Sequence, residues 1–136
     1  MVVLLDTNIF LVSLSPFSKY APIFDALIDG KFTLVISNEI ISEYEEIIQS
    51  RYDKKTVQDV LNLLVHLENI QKQDIYFNWQ LIEPDKDDNK FVDCAISAGA
   101  DYLVTNDRHF NVLKNIPFPT VNVINADDFL ELVTNL

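Results

Sequence analysis

Short apolar runs and helical stripes alternate along this chain. Val2–Leu5, Phe32–Ile36, Tyr102–Thr105 and Val121–Ile124 are runs of four or five mostly apolar or β-branched residues, the pattern of strands covered on both faces. Helical patterns lie between them. Pro22–Asp29 opens on proline and is closed by Gly30, the orientation those residues prefer. Ser37 is placed to cap a helix running to about Arg51, with Ile40, Ile41, Tyr44, Ile47 and Ile48 as its apolar stripe. Val57, Val60, Leu61, Leu64 and Leu67 mark a helix over Thr56–Gln71. Asp87–Ala98 runs into Gly99, a natural C-terminal stop, and Ala126–Val133 reads as the last helix. Ile75–Trp79 fits an edge strand or a plain connection. Strands alternating with helices predict an α/β sandwich around a mostly parallel sheet. With no linker, repeat or low-complexity tract, one domain over 1–136 is expected.

The 136 residues are 49% hydrophobic, enough for one packed core, yet no run approaches the roughly 18 apolar residues of a membrane span. Met1–Asp6 has no basic stretch and meets an acid after four apolar residues, so no secretory leader is expected there. The single cysteine, Cys94, excludes an internal disulfide framework and fits a reducing cytoplasm. Two glycines, Gly30 and Gly99, are too few for the phosphate cradle of a P-loop or dinucleotide site. Charge changes the picture most. The chain carries 21 Asp and Glu against 10 Lys and Arg, a net −11, which argues against avid nucleic-acid binding through basic surface.

Placement selects among these acids. Asp6 follows directly on Val2–Leu5, and Asp107 stands just beyond the run ending at Val104. Ligands of open α/β sheets bind outside the carboxyl ends of the strands, so both side chains point toward one rim. Asp88 lies at or near a helix start, where free N–H groups and the helix dipole favour a negative group. Glu43 projects roughly 40° from Ile47 and about 60° from Ile40 at about 100° per residue. It therefore borders the buried face, where a carboxylate is costly without a partner. No Lys or Arg stands three or four residues away, so a metal ion is the expected partner. Singly, each acid also fits an ordinary strand end, helix start, solvated flank or turn. Together they predict one carboxylate cluster, and like charges so close need a cation to stay ionised.

An all-oxygen donor set suits Mg²⁺ or Mn²⁺, as one or two ions, and suits zinc poorly. His66 and His109 are far apart in sequence and Cys94 is solitary, so no zinc-like spacing exists. His66 reads as structural, whereas His109, just after Asp107 and Arg108, could approach a substrate. A carboxylate-held hard cation activates water and neutralises phosphate oxygens, which makes a phosphodiester the natural substrate. Lys86, Lys90 and Arg108 stand near the acids and could meet flanking phosphates, although Lys86 and Lys90 equally serve to offset Asp85, Asp87 and Asp88.

Four motifs carry a resemblance: Leu5-Asp6-Thr7-Asn8, Ser37-Asn38-Glu39-Ile40-Ile41-Ser42-Glu43-Tyr44, Asp85-Lys86-Asp87-Asp88-Asn89-Lys90-Phe91, and Ala100-Asp101-Tyr102-Leu103-Val104-Thr105-Asn106-Asp107. Their order and spacing resemble the PIN domain, and within it the bacterial toxin components of toxin–antitoxin pairs related to VapC-like toxins. The resemblance covers nearly the whole chain. It implies a Rossmann-like α/β/α fold and a metal-dependent ribonuclease site. Asp6, Glu43, Asp88 and Asp107 match its catalytic, metal-holding acids, and Thr7, Asn8 and Thr105 its supporting polar positions. Asp93 matches a position often acidic in this branch; five residues from Asp88, it faces another side of the helix and ranks below the others. Asn106 stands where the branch commonly has glycine, and asparagine tolerates positive φ. The resemblance also implies an RNA substrate, a homodimer and a basic antitoxin, whose field would complement an acidic toxin, while the lack of a long apolar run leaves no membrane attachment expected.

The expectation is a Mg²⁺- or Mn²⁺-dependent endoribonuclease, with Lys90 and Arg108 meeting substrate phosphate. The strong negative charge motivates an alternative, a non-catalytic PIN-like module that engages RNA or protein. A phosphatase with an aspartyl nucleophile would want a second acid two residues after Asp6, where this chain has Asn8.

Overall fold

A computed structural model describes residues 1–136. Its centre is β1 (Val2–Leu5), whose Val3, Leu4 and Leu5 are wholly enclosed, as a continuous apolar run requires. On one side β1 pairs with β2 (Thr33–Ile36), with Val3 opposite Leu34. On the other it pairs with β4 (Tyr102–Val104), with Leu5 opposite Val104. The edge strands β3 (Ile70–Lys72) and β5 (Val123–Ile124) complete a five-stranded sheet of order β3-β2-β1-β4-β5, in which every neighbouring pair is parallel. Helices flank it, giving the expected α/β class.

The helices are α1 (Thr7–Leu14), α2 (Ala21–Ile28), α3 (Asn38–Arg51), α4 (Lys54–His66), α5 (Asn89–Ala98) and α6 (Ala126–Thr134). Ser37 caps α3 by accepting the Ile40 N–H at 3.2 Å, and Gly99 ends α5 in the left-handed region at φ 61°. Two expectations need correction. The helix foreseen over Thr56–Gln71 ends at His66, because Ile70 and Gln71 are drawn into parallel pairing with Leu34 and Val35. Ile75–Trp79, a possible edge strand, has no regular structure, since β3 already closes that edge. Helix α1 was not foreseen, nor was the 3₁₀ segment Arg108–Asn115.

One core of 32 buried residues holds the sheet and helices together. Within it the Tyr44 ring stacks on Phe10 at 4.4 Å, and its hydroxyl donates to the Leu5 carbonyl. That contact ties α3 to the carboxyl end of β1, one residue before Asp6. Chain order runs outward from β1 through β2 to β3, then jumps back across to β4. The reversal lies between β1 and β4, and ligands of such sheets bind outside the strand ends at this point. No helix is long and apolar enough to cross a membrane.

Candidate metal and catalytic site

The turn leaving β1 places Asp6 at the switch point, where it is 8% exposed. Its Oδ1 accepts the Thr7 N–H at 2.8 Å, at the start of α1, and its Oδ2 accepts the Thr105 hydroxyl at 2.7 Å. Burial pushes the Asp6 pKa up; the two hydrogen bonds oppose that rise, and the charges of Glu43 and Asp107 add to it. Thr105, at the end of β4, also accepts the Asp107 N–H at 3.0 Å. A single hydroxyl therefore joins the carboxylate after β1 to the backbone of the carboxylate after β4. Asp107 in turn caps the 3₁₀ segment, accepting the His109 N–H at 2.9 Å.

Asp88 ends a 3₁₀ turn, Lys86–Asp88, that leads into α5. Its side chain is 14% exposed, and its Oδ2 is buried with no hydrogen-bond partner. His109 Nδ1 lies 3.5 Å from that oxygen and 3.5 Å from Asp107 Oδ1. Burial, followed by the charges of Asp85, Asp107 and Asp6, lifts the Asp88 pKa to about 6, against a smaller opposing pull from His109. An unpartnered carboxylate oxygen among like charges is the environment a cation relieves.

Glu43, on α3, accepts the Thr7 hydroxyl and forms an ion pair with Lys90 Nζ at 2.6 Å. This corrects the expectation that no protein group partners Glu43: the cation comes from α5, out of reach of any i±4 search. Lys90 also reaches Asp87 at 3.0 Å. Burial works against the Lys90 charge, yet its bonds to these two acids hold its pKa above the ordinary lysine value. Its ammonium, expected to meet substrate phosphate, is occupied by carboxylates.

The four predicted acids are thus linked in one series, from Glu43 through Thr7 to Asp6, through Thr105 to Asp107, and through His109 to Asp88. Of these four only Asp88 belongs to a group of three whose ligand atoms lie within 4.8 Å of one another, its companions being Asp85 and His109. Asp85 was not singled out from the sequence. Its signal was the spacing of three to Asp88, which a 3₁₀ turn brings onto one side. Asp93 stands apart, as its spacing suggested. It is 4% exposed and accepts the Trp79 N–H at 3.0 Å. Burial raises its pKa, partly offset by that bond, with the Glu39 charge adding. Asn8 is exposed on the first turn of α1. Arg108 is exposed beside Asp107, where it lines a shallow depression with Lys114.

An all-parallel sheet with Asp6 and Asp107 joined through Thr105 at its switch point defines an α/β domain with an acidic strand-end rim. The PIN domain family model matches residues 2–109, and this chain belongs to the PIN domain family. Two solved structures share the fold. VapBC2 from Rickettsia felis bound to a DNA fragment from their promoter is 20% identical, with a TM-score of 0.64 over 92% of this chain and 98% of that one. VapBC-1 from nontypeable Haemophilus influenzae is 17% identical, with a TM-score of 0.60 over 93% and 99%. No curated protein sequence matches the chain.

Proposed function

We propose that this protein is a metal-dependent endoribonuclease and the toxin of a toxin–antitoxin pair. The observation that carries this reading is the buried Asp88 oxygen without a hydrogen-bond partner, whose pKa burial first, and then the charges of Asp85, Asp107 and Asp6, lift to about 6. Hard oxygen donors in excess of nearby cations fit Mg²⁺ or Mn²⁺. Asp6, Asp88, Asp107 and Glu43 would hold one or two such ions. Bound there, the metal would supply charge neutralisation and a more acidic water.

The protein's own groups account for the rest. Thr105 fixes Asp6 relative to Asp107, so the two carboxylates are preorganised rather than gathered on binding. Arg108 and Lys114 offer the exposed positive charge beside Asp107 that would receive phosphates flanking the scissile bond. In the hydrolysis, a water oxygen bonds to phosphorus as one ester P–O bond breaks. The water's proton passes to a cluster carboxylate, and His109, beside Asp88 and Asp107, is placed to protonate the leaving oxygen.

PIN membership supports a nuclease. The toxin reading draws on fold neighbours that are VapBC assemblies, and the net −11 suits a basic antitoxin. A homodimer is part of the same reading. The test is incubation of purified protein with RNA and Mg²⁺ or Mn²⁺. Cleavage should stop with chelator and in Asp6→Asn and Asp107→Asn, and cleavage that survives both substitutions would overturn the proposal. The Lys90–Glu43 pair favours one other reading, a non-catalytic module whose lysine neutralises part of the cluster. Calorimetry separates the two, since a module of that kind would take up no Mn²⁺ at millimolar concentration.

A further inference from the structure

Beside the acid cluster lies a larger groove of about 670 Å³, between the start of α3, the segment 73–80 and the start of α5. That volume falls within the range of small-molecule sites. The outer wall has no regular structure, yet it is built. Tyr76, Asn78 and Gln80 line the groove, while the intervening Phe77 and Trp79 do not. Trp79 packs edge-on against Phe77, at 4.7 Å between ring centres, and against Phe118 at 6.3 Å. Asp93 holds the Trp79 N–H, and the Asn89 amide both accepts from the Ile82 N–H and donates to its carbonyl, each at 2.9 Å. Both clamping side chains belong to α5, the helix that follows Asp88. Burying a carboxylate to hold one N–H of an irregular segment is unfavourable unless the position of that segment matters.

The lining indicates what the groove receives. Asn38, Gln73, Asn78 and Gln80 offer side-chain amides, which donate and accept side by side, and the Tyr76 ring is 90% exposed. Glu39, Asp74, Asp87 and Asp93 outnumber Lys86 and Lys90, so a phosphate is repelled. A flat ring with paired donors and acceptors suits a nucleobase, which is recognised by stacking and by hydrogen bonds along its edge. The groove also shares Asn38, Glu39, Asp87 and Lys90 with the smaller depression that reaches Glu43. It is therefore continuous with the depression at Glu43, the acid of the cluster that α3 carries.

We propose that this groove is a nucleobase subsite that selects the nucleotide adjoining the scissile phosphodiester. The inference rests on the ribonuclease reading but can fail separately from it. The first measurement titrates ¹⁵N-labelled protein with AMP, GMP, CMP and UMP, none of which holds an internucleotide bond to cut, with ribose 5-phosphate as the base-free control. The side-chain amides of Asn78, Gln80 and Gln73 should shift, with one base preferred, and Asn78→Ala should weaken that binding at least about fivefold. Ribose 5-phosphate should leave those amides unmoved. Equal shifts with ribose 5-phosphate, or shifts confined to the acid cluster, would overturn the inference. Groove shifts with hexa-arginine but with none of the monophosphates would also overturn it, in favour of a basic peptide.

The second measurement maps cleavage positions on single-stranded RNA. Asn78→Ala and Tyr76→Ala should redistribute the cuts, with Mn²⁺ affinity by calorimetry unchanged. Cleavage at unaltered positions in both variants would refute the subsite and leave the nuclease standing. Base binding in the groove without RNA cleavage would instead remove the nuclease reading.

Discussion

Asp88→Asn provides a direct test of the electrostatics of the cluster. A carboxyl whose pKa rises from 3.8 to about 6 on folding penalises its ionised native form by about 3 kcal/mol above both values. Solvent reaches the 14%-exposed side chain and its more open neighbours, and screening leaves about 1–2 kcal/mol of that penalty. An acid at a helix start is favourable by about 0.5 kcal/mol, which the amide forfeits. No capping hydrogen bond is lost, because Asp88 makes none at the start of α5. In metal-free buffer at pH 7.5 the amide variant should therefore be more stable by about 1 kcal/mol, or roughly 3–5 °C in Tm.

The sign follows from the proton count. Between pH 3.8 and about 6 the native state holds more protons at Asp88 than the unfolded chain does, so wild-type stability falls as pH rises through that window. The raised pKa of Asp6 acts in the same direction. Thermal melts in EDTA from pH 4 to 8 should show wild type and variant converging at the acid end and separating toward neutrality. Millimolar Mn²⁺ should reverse their order, since only the wild type retains the full donor set. A variant less stable than wild type at pH 7.5 without metal, or a difference independent of pH, would refute the reasoning.

Three other outcomes follow from the contacts. Thr105→Val keeps the shape but removes the hydroxyl between Asp6 Oδ2 and the Asp107 N–H, and urea unfolding should show a loss of about 2–3 kcal/mol. Lys90→Met leaves Glu43 without its ion pair and should cost about 1–3 kcal/mol in EDTA, a deficit that Mn²⁺ should narrow in parallel melts. The Cys94 thiol is enclosed, and burial, with the Asp93 charge, pushes its pKa up to about 12. It should resist Ellman's reagent in the native protein at pH 8 and react at once in guanidinium.

What could be read from the sequence was set by how local each cause is. Helix α3 is legible from Ser37 to Arg51 because cap and stripe are both written within fifteen residues. Asp6 and Asp107 are assignable to one rim because the first directly follows a strand and the second stands just beyond one. Helix α1 escaped notice because Thr7–Leu14 is apolar nearly all round and blends into the strand before it. Strand β3 has only three residues and exists through pairing with β2, a partner far back in the sequence. The Lys90–Glu43 pair spans two helices, so no spacing rule could find it. Asp85 required knowing that the turn before α5 is 3₁₀ rather than α.

The strand order has a bearing on how this protein could be divided. A break in the irregular stretch after β3 would leave Asp6 and Glu43 with β1, β2 and β3 on one fragment, and Asp88 and Asp107 with β4 and β5 on the other. The seam between the fragments would be the β1–β4 ladder that the Thr105 hydroxyl bridges. Neither half alone would own a complete cluster, so activity regained on mixing would report that the ladder had re-formed.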